Sequence, residues 1–163
     1  MSDAEEREVQ IANVMQITRM VGYSMFLGVA VFYVLILFLL NQPGAGQRPV
    51  PIAAAIGVVL SLLLVALSYV AKALLFGREK LRTQSPKPAL PALLRSYRFG
   101  SLAGMGLSEA GAFVMAVCVL LAGPSYRLWL AAGAVSVAAM VLHLPSRDKL
   151  DGYLAEADQA PSG

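Results

Sequence analysis

The stretch that decides the fold is FGSLAGMGLSEAGAFVMAVCVLLA, residues Phe99–Ala122. Among these 24 residues the only charged side chain is Glu109, near the middle. An apolar run of this length can cross a membrane as a helix. An acidic residue half-way along such a helix is costly to bury, which makes it a candidate functional group. The stretch therefore predicts a membrane helix built around one unusual carboxyl.

The whole chain has the composition of a membrane protein. Of its 163 residues, 58% are hydrophobic and 14% are charged, whereas an ordinary soluble domain has about 25% charged residues. The apolar runs predict four membrane spans, at about 20–41, 50–75, 99–122 and 125–144. A basic connection at 77–98 and a tail at 145–163 lie outside them. We expect an all-α membrane protein, a four-transmembrane-helix bundle that forms a single membrane domain.

The connection at 77–98 leaves two alternatives open. Three prolines, at positions 86, 88 and 91, argue against a continuous helix. The apolar residues Leu93, Leu94 and Tyr97 allow a short helix lying at the membrane surface. A solvated basic loop explains the same composition.

The basic residues predict the orientation of the bundle. The N-terminal segment, the connection from Lys72 onward and the tail together carry eleven Lys and Arg residues. The other two connections carry only Arg48 and Arg127. Because basic residues are retained on the cytoplasmic side, we expect both termini to be cytosolic. The same asymmetry explains the basic charge, so nucleic-acid binding is not needed to explain it. We expect the membrane to be a bacterial cytoplasmic membrane.

Depth along the predicted spans groups the candidate site residues. Counting to the middle of each span places Glu109 level with Ser61 and Ser136. Apolar surroundings disfavour the charged form of a carboxyl, so we expect Glu109 to be neutral and to hydrogen-bond to these hydroxyls, clamping the helices. Alternatively, Glu109 is a proton or cation site, with Ser108 beside it as a supporting ligand. His143, at the end of the last span, is expected at the membrane interface.

Small residues recur at helical spacing and predict where the helices approach each other closely. They lie on the second, third and fourth spans. These helix-packing residues are Gly57, Gly100, Gly104, Gly111 and Ala132.

Residues 107–113, LSEAGAF, resemble the carboxylate-bearing helix of the proteolipid, subunit c, of rotary ATPases. In that family a mid-membrane Glu binds the transported proton or sodium ion. The resemblance therefore implies this role for Glu109, with Ser108 as an auxiliary ligand. It is local, because the first span lacks the repeated glycines of the proteolipid's inner helix and the first half has no equivalent acid.

Other chemistry finds no support in the sequence. No nucleophile–base arrangement or phosphate-binding loop appears, so we expect no catalytic residues and no enzyme activity. With one His and one Cys, a His/Cys metal site is excluded, and no cofactor is expected. The expected partners are the lipid bilayer and either further copies of the chain or a larger membrane complex, with no nucleic acid. The leading function is that of a subunit or scaffold, and the alternative is a cation-translocating element.

Overall fold

The computed structural model describes residues 3–42, 49–82 and 90–158. Its elements are all helical. The helices are α1 (Asp3–Leu40), α2 (Ile52–Arg82), α3 (Leu90–Ala122), a 3₁₀ helix (Pro124–Ala132), α4 (Gly133–His143) and α5 (Arg147–Asp158). Four helical segments are long and apolar enough to cross a membrane, the fourth being the 3₁₀ helix joined to α4. The expectation of four membrane-spanning helices is thus confirmed.

The central helix is α3. It packs against α1, α2 and α4, whereas α1 and α2 make few contacts with each other. In its most apolar stretch 44% of the residues are buried, compared with 17% in α1. The outer helices instead expose large apolar side chains, among them Leu27, Val34 and Leu63. An exterior of this kind suits hydrocarbon rather than water.

Three helices extend beyond their predicted spans, and all do so at the same end of the bundle. There α1 begins at Asp3, α2 ends at Arg82 and α3 begins at Leu90. A helix of 38 residues such as α1 is about 57 Å long, which exceeds the roughly 30 Å of a hydrocarbon core. These ends therefore project from the membrane.

The projecting ends form a small core of their own with α5. Its buried apolar residues come from the first turns of α1, the first turns of α3 and from α5. They are Ile11, Met15, Leu93, Leu94, Tyr97, Leu150, Tyr153 and Leu154. Arg147 also pairs with Glu8 at 2.7 Å and with Asp151 at 3.1 Å. The pKa of the Arg147 guanidinium is raised, mainly by its hydrogen bond to Glu8 and to a smaller extent by its hydrogen bond to Asp151.

Residues 77–82 end α2 and residues 90–98 are the first turns of α3, so neither a solvated loop nor a separate surface helix forms in these two segments. Residues 83–89, with two of the three prolines, lie outside the described residues. Pro91 lies in the first turn of the helix, where its missing N–H group costs no hydrogen bond. Leu93, Leu94 and Tyr97 are buried against α1 and α5. Because these side chains are buried, the helix begins nine residues before the predicted span at position 99. The nearby prolines had argued against a helix there.

The fourth span combines two kinds of helix. Gly123, with a φ of 96°, turns the chain after α3 and is followed by the 3₁₀ helix. A 3₁₀ helix rises about 2.0 Å per residue, compared with 1.5 Å in an α-helix. The span of 20 residues is therefore about 34 Å long, roughly 4 Å more than an α-helix of equal length.

Candidate functional site

A pair of buried hydroxyls joins α2 to α4 half-way along the bundle. The Oγ atoms of Ser61 and Ser136 are 2.8 Å apart, and the two residues are 2% and 0% exposed. Gly111 of α3 lies directly opposite them. A Cβ atom at this glycine would be 2.9 Å from Ser136 Oγ and 3.2 Å from the carbonyl oxygen of Ser61. The absent side chain thus lets three helices meet around one hydrogen bond.

A second polar layer lies two helical turns further along α2 and α4. Ser68 Oγ is 2.9 Å from His143 Nε2, and Ser108 donates a hydrogen bond to Ser68 Oγ at 3.3 Å. The hydroxyl of Ser108 is also 2.9 Å from the carbonyl oxygen of Gly104. The ring of Tyr69 packs on the imidazole with a centroid distance of 4.7 Å. Two serines and one histidine therefore form a connected network inside the bundle.

Gly104 creates the room for this second layer. A Cβ atom there would lie 2.8 Å from Cγ of His143, so only a glycine admits the imidazole ring at this depth. His143 is 1% exposed and lies within the bundle rather than at its surface. The ring turns toward α2 and α3, where Ser68 and Gly104 contact it, and its position at the depth of the membrane interface stays a prediction.

The sequence carries a signal for this second layer that depth counting alone misses. Ser68 follows Ser61 by seven residues, and His143 follows Ser136 by the same interval. An interval of seven residues returns to nearly the same helix face. On α3, which runs antiparallel to α2 and α4, Gly104 precedes Gly111 by seven residues as well. A search for matching seven-residue offsets on all three spans would have found both layers.

Glu109 lies on a different face of α3 from these layers. A Cβ atom on Gly28 of α1 would be 3.8 Å from Glu109 Oε1, so the carboxyl points toward α1. The side chain is only partly buried. The structure brings Ser61 and Ser136 together, but it does not bring Glu109 to them. Successive helical residues differ in direction by about 100°, so Ser108 and Glu109 face different neighbours.

The carboxyl of Glu109 has no hydrogen-bond or ion-pair partner among residues 3–42, 49–82 and 90–158. Another side chain that depth counting missed lies close by along α1. Tyr33 donates a hydrogen bond from its hydroxyl to the carbonyl oxygen of Ala112 at 3.1 Å, and its ring lies against Gly133. Tyr33 thus connects α1 to α3 and α4. Glu109 lies on the same side of α3, and its carboxyl can still accept or donate a hydrogen bond.

The remaining predicted packing residues lie at helix contacts. Gly57 faces α3, where an added Cβ atom would be 2.6 Å from Cβ of Cys118. Gly100 is buried in α3. Ala132 packs on the apolar cluster that contains Ile36 of α1 and Val119 of α3. Small residues therefore occur at several of the contacts that α3 and the fourth span make with neighbouring helices.

Within the described ranges, no group of three or more His, Cys, Asp and Glu side chains is placed to hold a metal ion. Comparison of the chain with protein families, with curated proteins and with solved structures finds no match.

Proposed function

We propose that this chain is a non-catalytic, multi-pass subunit or scaffold of a membrane assembly, in which neutral Glu109 joins α3 to a helix of a neighbouring subunit. One observation supports this role above the others. A carboxyl half-way along the central apolar helix is partly exposed and has no partner in the described chain. The serines at the same depth are already paired with each other. A donor or acceptor for Glu109 must then come from outside the bundle.

The energetic argument concerns the cost of leaving such a group unpaired. A charged acid at mid-membrane costs roughly 2.5–3.5 kcal/mol on insertion scales, and a neutral acid still loses its hydrogen bonds with water. Interhelical hydrogen bonds in membranes contribute about 0.6 kcal/mol on average and up to about 1.7 kcal/mol. Close packing beside the small, partly exposed Ala110 would add to this gain.

The proposed orientation has both termini in the cytoplasm, in a bacterial cytoplasmic membrane. The basic residues support it, because eleven of the thirteen belong to the segments assigned to that side. The exposed Asp148 offers a test in a Cys118→Ala background. A cysteine introduced as Asp148→Cys should react with a membrane-impermeant maleimide only after the cells are opened. Full labelling on intact cells would reverse the orientation.

The assembly role is tested by comparing two substitutions of Glu109. Glu109→Gln keeps a hydrogen-bonding group of the same size, and Glu109→Leu removes it at similar volume. In mild detergent we expect the wild type and Glu109→Gln to elute as the same assembly, and Glu109→Leu to shift toward the monomer. Assemblies of identical mass and dissociation for all three proteins would refute the role.

A second function, proton or cation binding, is favoured by the partial exposure of the carboxyl on the side of α3 that faces α1. The local resemblance to rotary ATPase proteolipids supports the same role. A hydrophobic carbodiimide, which reacts with the protonated acid, should then label Glu109 in native membranes, and at a cation site sodium should protect it by displacing the proton. In the assembly role, labelling is instead unchanged by sodium and increases when the assembly is dissociated. These two responses separate the functions.

A further inference from the structure

A cleft of about 500 Å³ opens between the projecting part of α1 and the first turns of α3. Its polar lining residues all lie in its outer part, beside the apolar Pro91 and Leu94, and its inner part is apolar. Gln10 and Asn13 of α1 face Arg95 and Arg98 of α3 in the outer part. Deeper in the cleft, Phe99 and Leu102 form the wall. Over about two helical turns the lining thus changes from basic to apolar, and this change occurs where the apolar run of α3 begins.

The two arginines of the cleft have not been neutralised by the protein. Neither Arg95 nor Arg98 forms an ion pair or hydrogen bond with any residue that the structure describes, and the guanidinium of Arg95 lies 5.7 Å from the centre of the Phe99 ring. Two other arginines at this end do have partners. Arg147 binds Glu8 and Asp151, and Arg19 donates a hydrogen bond to the carbonyl oxygen of Pro145.

Among the residues that the structure describes, no acidic side chain lines the cleft. Glu6 lies one turn before Gln10, about 6 Å further along α1 and away from the membrane-spanning part. The lining therefore offers two positive charges and two side-chain amides without a carboxylate among them. Guanidinium groups and amide N–H groups are the donors that a phosphate accepts best.

We propose that this cleft binds the phosphate headgroup of an anionic phospholipid. The headgroup lies between Arg95 and Arg98, with Gln10 and Asn13 as further donors, and the acyl chains lie against Phe99 and Leu102. The leaflet is the one on the side of the projecting helix ends. The site is independent of the role of Glu109, which lies about 16 Å deeper along α3 than Arg98.

The apolar half of the cleft favours a lipid over a soluble phosphate. Phe99 is 52% exposed, and Leu102 is partly exposed directly below the arginines. A soluble anion would leave these surfaces uncovered, whereas a phospholipid covers them with hydrocarbon while its phosphate reaches the guanidinium groups. Basic pockets between membrane helices at the interface are the sites at which anionic lipid headgroups bind.

Native mass spectrometry of the full chain, released from a neutral detergent, tests the site. The probes are dioleoyl-phosphatidylglycerol and, as the uncharged-headgroup control, dioleoyl-phosphatidylcholine. We expect the anionic lipid to bind at least about 10-fold more tightly, since each basic residue adds about a factor of five. The double variant Arg95→Gln/Arg98→Gln should weaken its binding by about 30-fold, and Arg95→Lys/Arg98→Lys should restore most of the affinity.

A matched control is Arg127→Gln, which removes one exposed arginine from the 3₁₀ helix at the other end of the bundle and should leave the affinity unchanged. If the double variant is not recovered as a folded protein, the single variants replace it, each with an expected loss of about 5-fold. Unchanged affinity in the glutamine variants, or equal loss in Arg127→Gln, overturns the proposal. Displacement of the lipid by an equal concentration of glycerol phosphate also overturns it, because the site would then be one for a soluble anion.

Discussion

The contact at Gly111, where α2, α3 and α4 meet, can be tested by adding one methyl group. In Gly111→Ala the new Cβ atom would lie 2.9 Å from Ser136 Oγ and 3.2 Å from the carbonyl oxygen of Ser61. The serine hydroxyl can rotate away only by breaking its 2.8 Å hydrogen bond to Ser61. The carbonyl oxygen belongs to a helix backbone and can move only if α2 moves.

The magnitude follows from two opposing terms. Alanine is favoured over glycine inside a helix by about 0.8–1.0 kcal/mol. Inserting a methyl group into a closely packed site costs about 1–3 kcal/mol. Gly106 supplies the matched control on the same helix, because a Cβ atom there would meet only Cε of Met25, at 3.7 Å. Gly106→Ala therefore keeps the helix gain without the steric cost, and the two variants should differ by about 1–3 kcal/mol.

Reversible unfolding in mixed micelles, followed by circular dichroism as a function of denaturing detergent, measures the free energies of unfolding. Gly106→Ala should be as stable as the wild type or more stable, and Gly111→Ala less stable than Gly106→Ala. Combining Gly111→Ala with Ser136→Ala removes the nearer clash and should cost less than the sum of the two single changes. Equal stability of the two glycine variants, within about 0.5 kcal/mol, would refute the close packing of α2, α3 and α4 around Gly111.

Three smaller changes test other parts of the bundle by the same measurement. Ser68→Ala leaves Nε2 of the buried His143 without its hydroxyl partner and should lower the free energy of unfolding by about 0.6–1.7 kcal/mol. Ser101→Ala should have the opposite effect, because the buried Oγ atom of Ser101 has no hydrogen-bond partner in the described chain. The free energy of unfolding of this variant should be equal to that of the wild type or higher. Glu8→Gln removes the exposed ion pair with Arg147. The denaturing-detergent midpoint of this variant should therefore be lower than that of the wild type in dilute buffer and equal to it at about 1 M salt. A loss in Ser101→Ala as large as that in Ser68→Ala would contradict the assigned hydrogen bonds.

Sequence reasoning predicted the number of spans because hydrocarbon thickness limits the length of every spanning helix. Depth counting works for the same reason, and it placed Ser61 level with Ser136, whose hydroxyls are 2.8 Å apart. Depth does not determine how each helix is rotated about its axis. Glu109 shares that depth but points toward Gly28 of α1 instead of toward the serines.

Rotation depends on which residues leave space, and this is a property of pairs of helices. Gly104 and His143 illustrate the point, since neither residue alone indicates that an imidazole ring fills the place of a missing side chain. The start of α3 at Leu90 was hidden for a different reason. Proline is read as a helix breaker, and only the buried Leu94 and Tyr97 show that the helix around them is held by tertiary packing.

The arrangement of α1 has a consequence for the order in which the protein is made. Although α1 and α2 are consecutive in the chain, they make few contacts, and the partners of α1 are α3 and the fourth span. Tyr33 can contact the carbonyl group of Ala112 and the backbone of Gly133 only after those later residues have left the ribosome. Packing of α1 must therefore wait until α3 has been made, although α1 precedes α2 and α3 in the chain. Until then its retention rests on Val21–Leu40, twenty residues without a charge, and on the surrounding lipid alone.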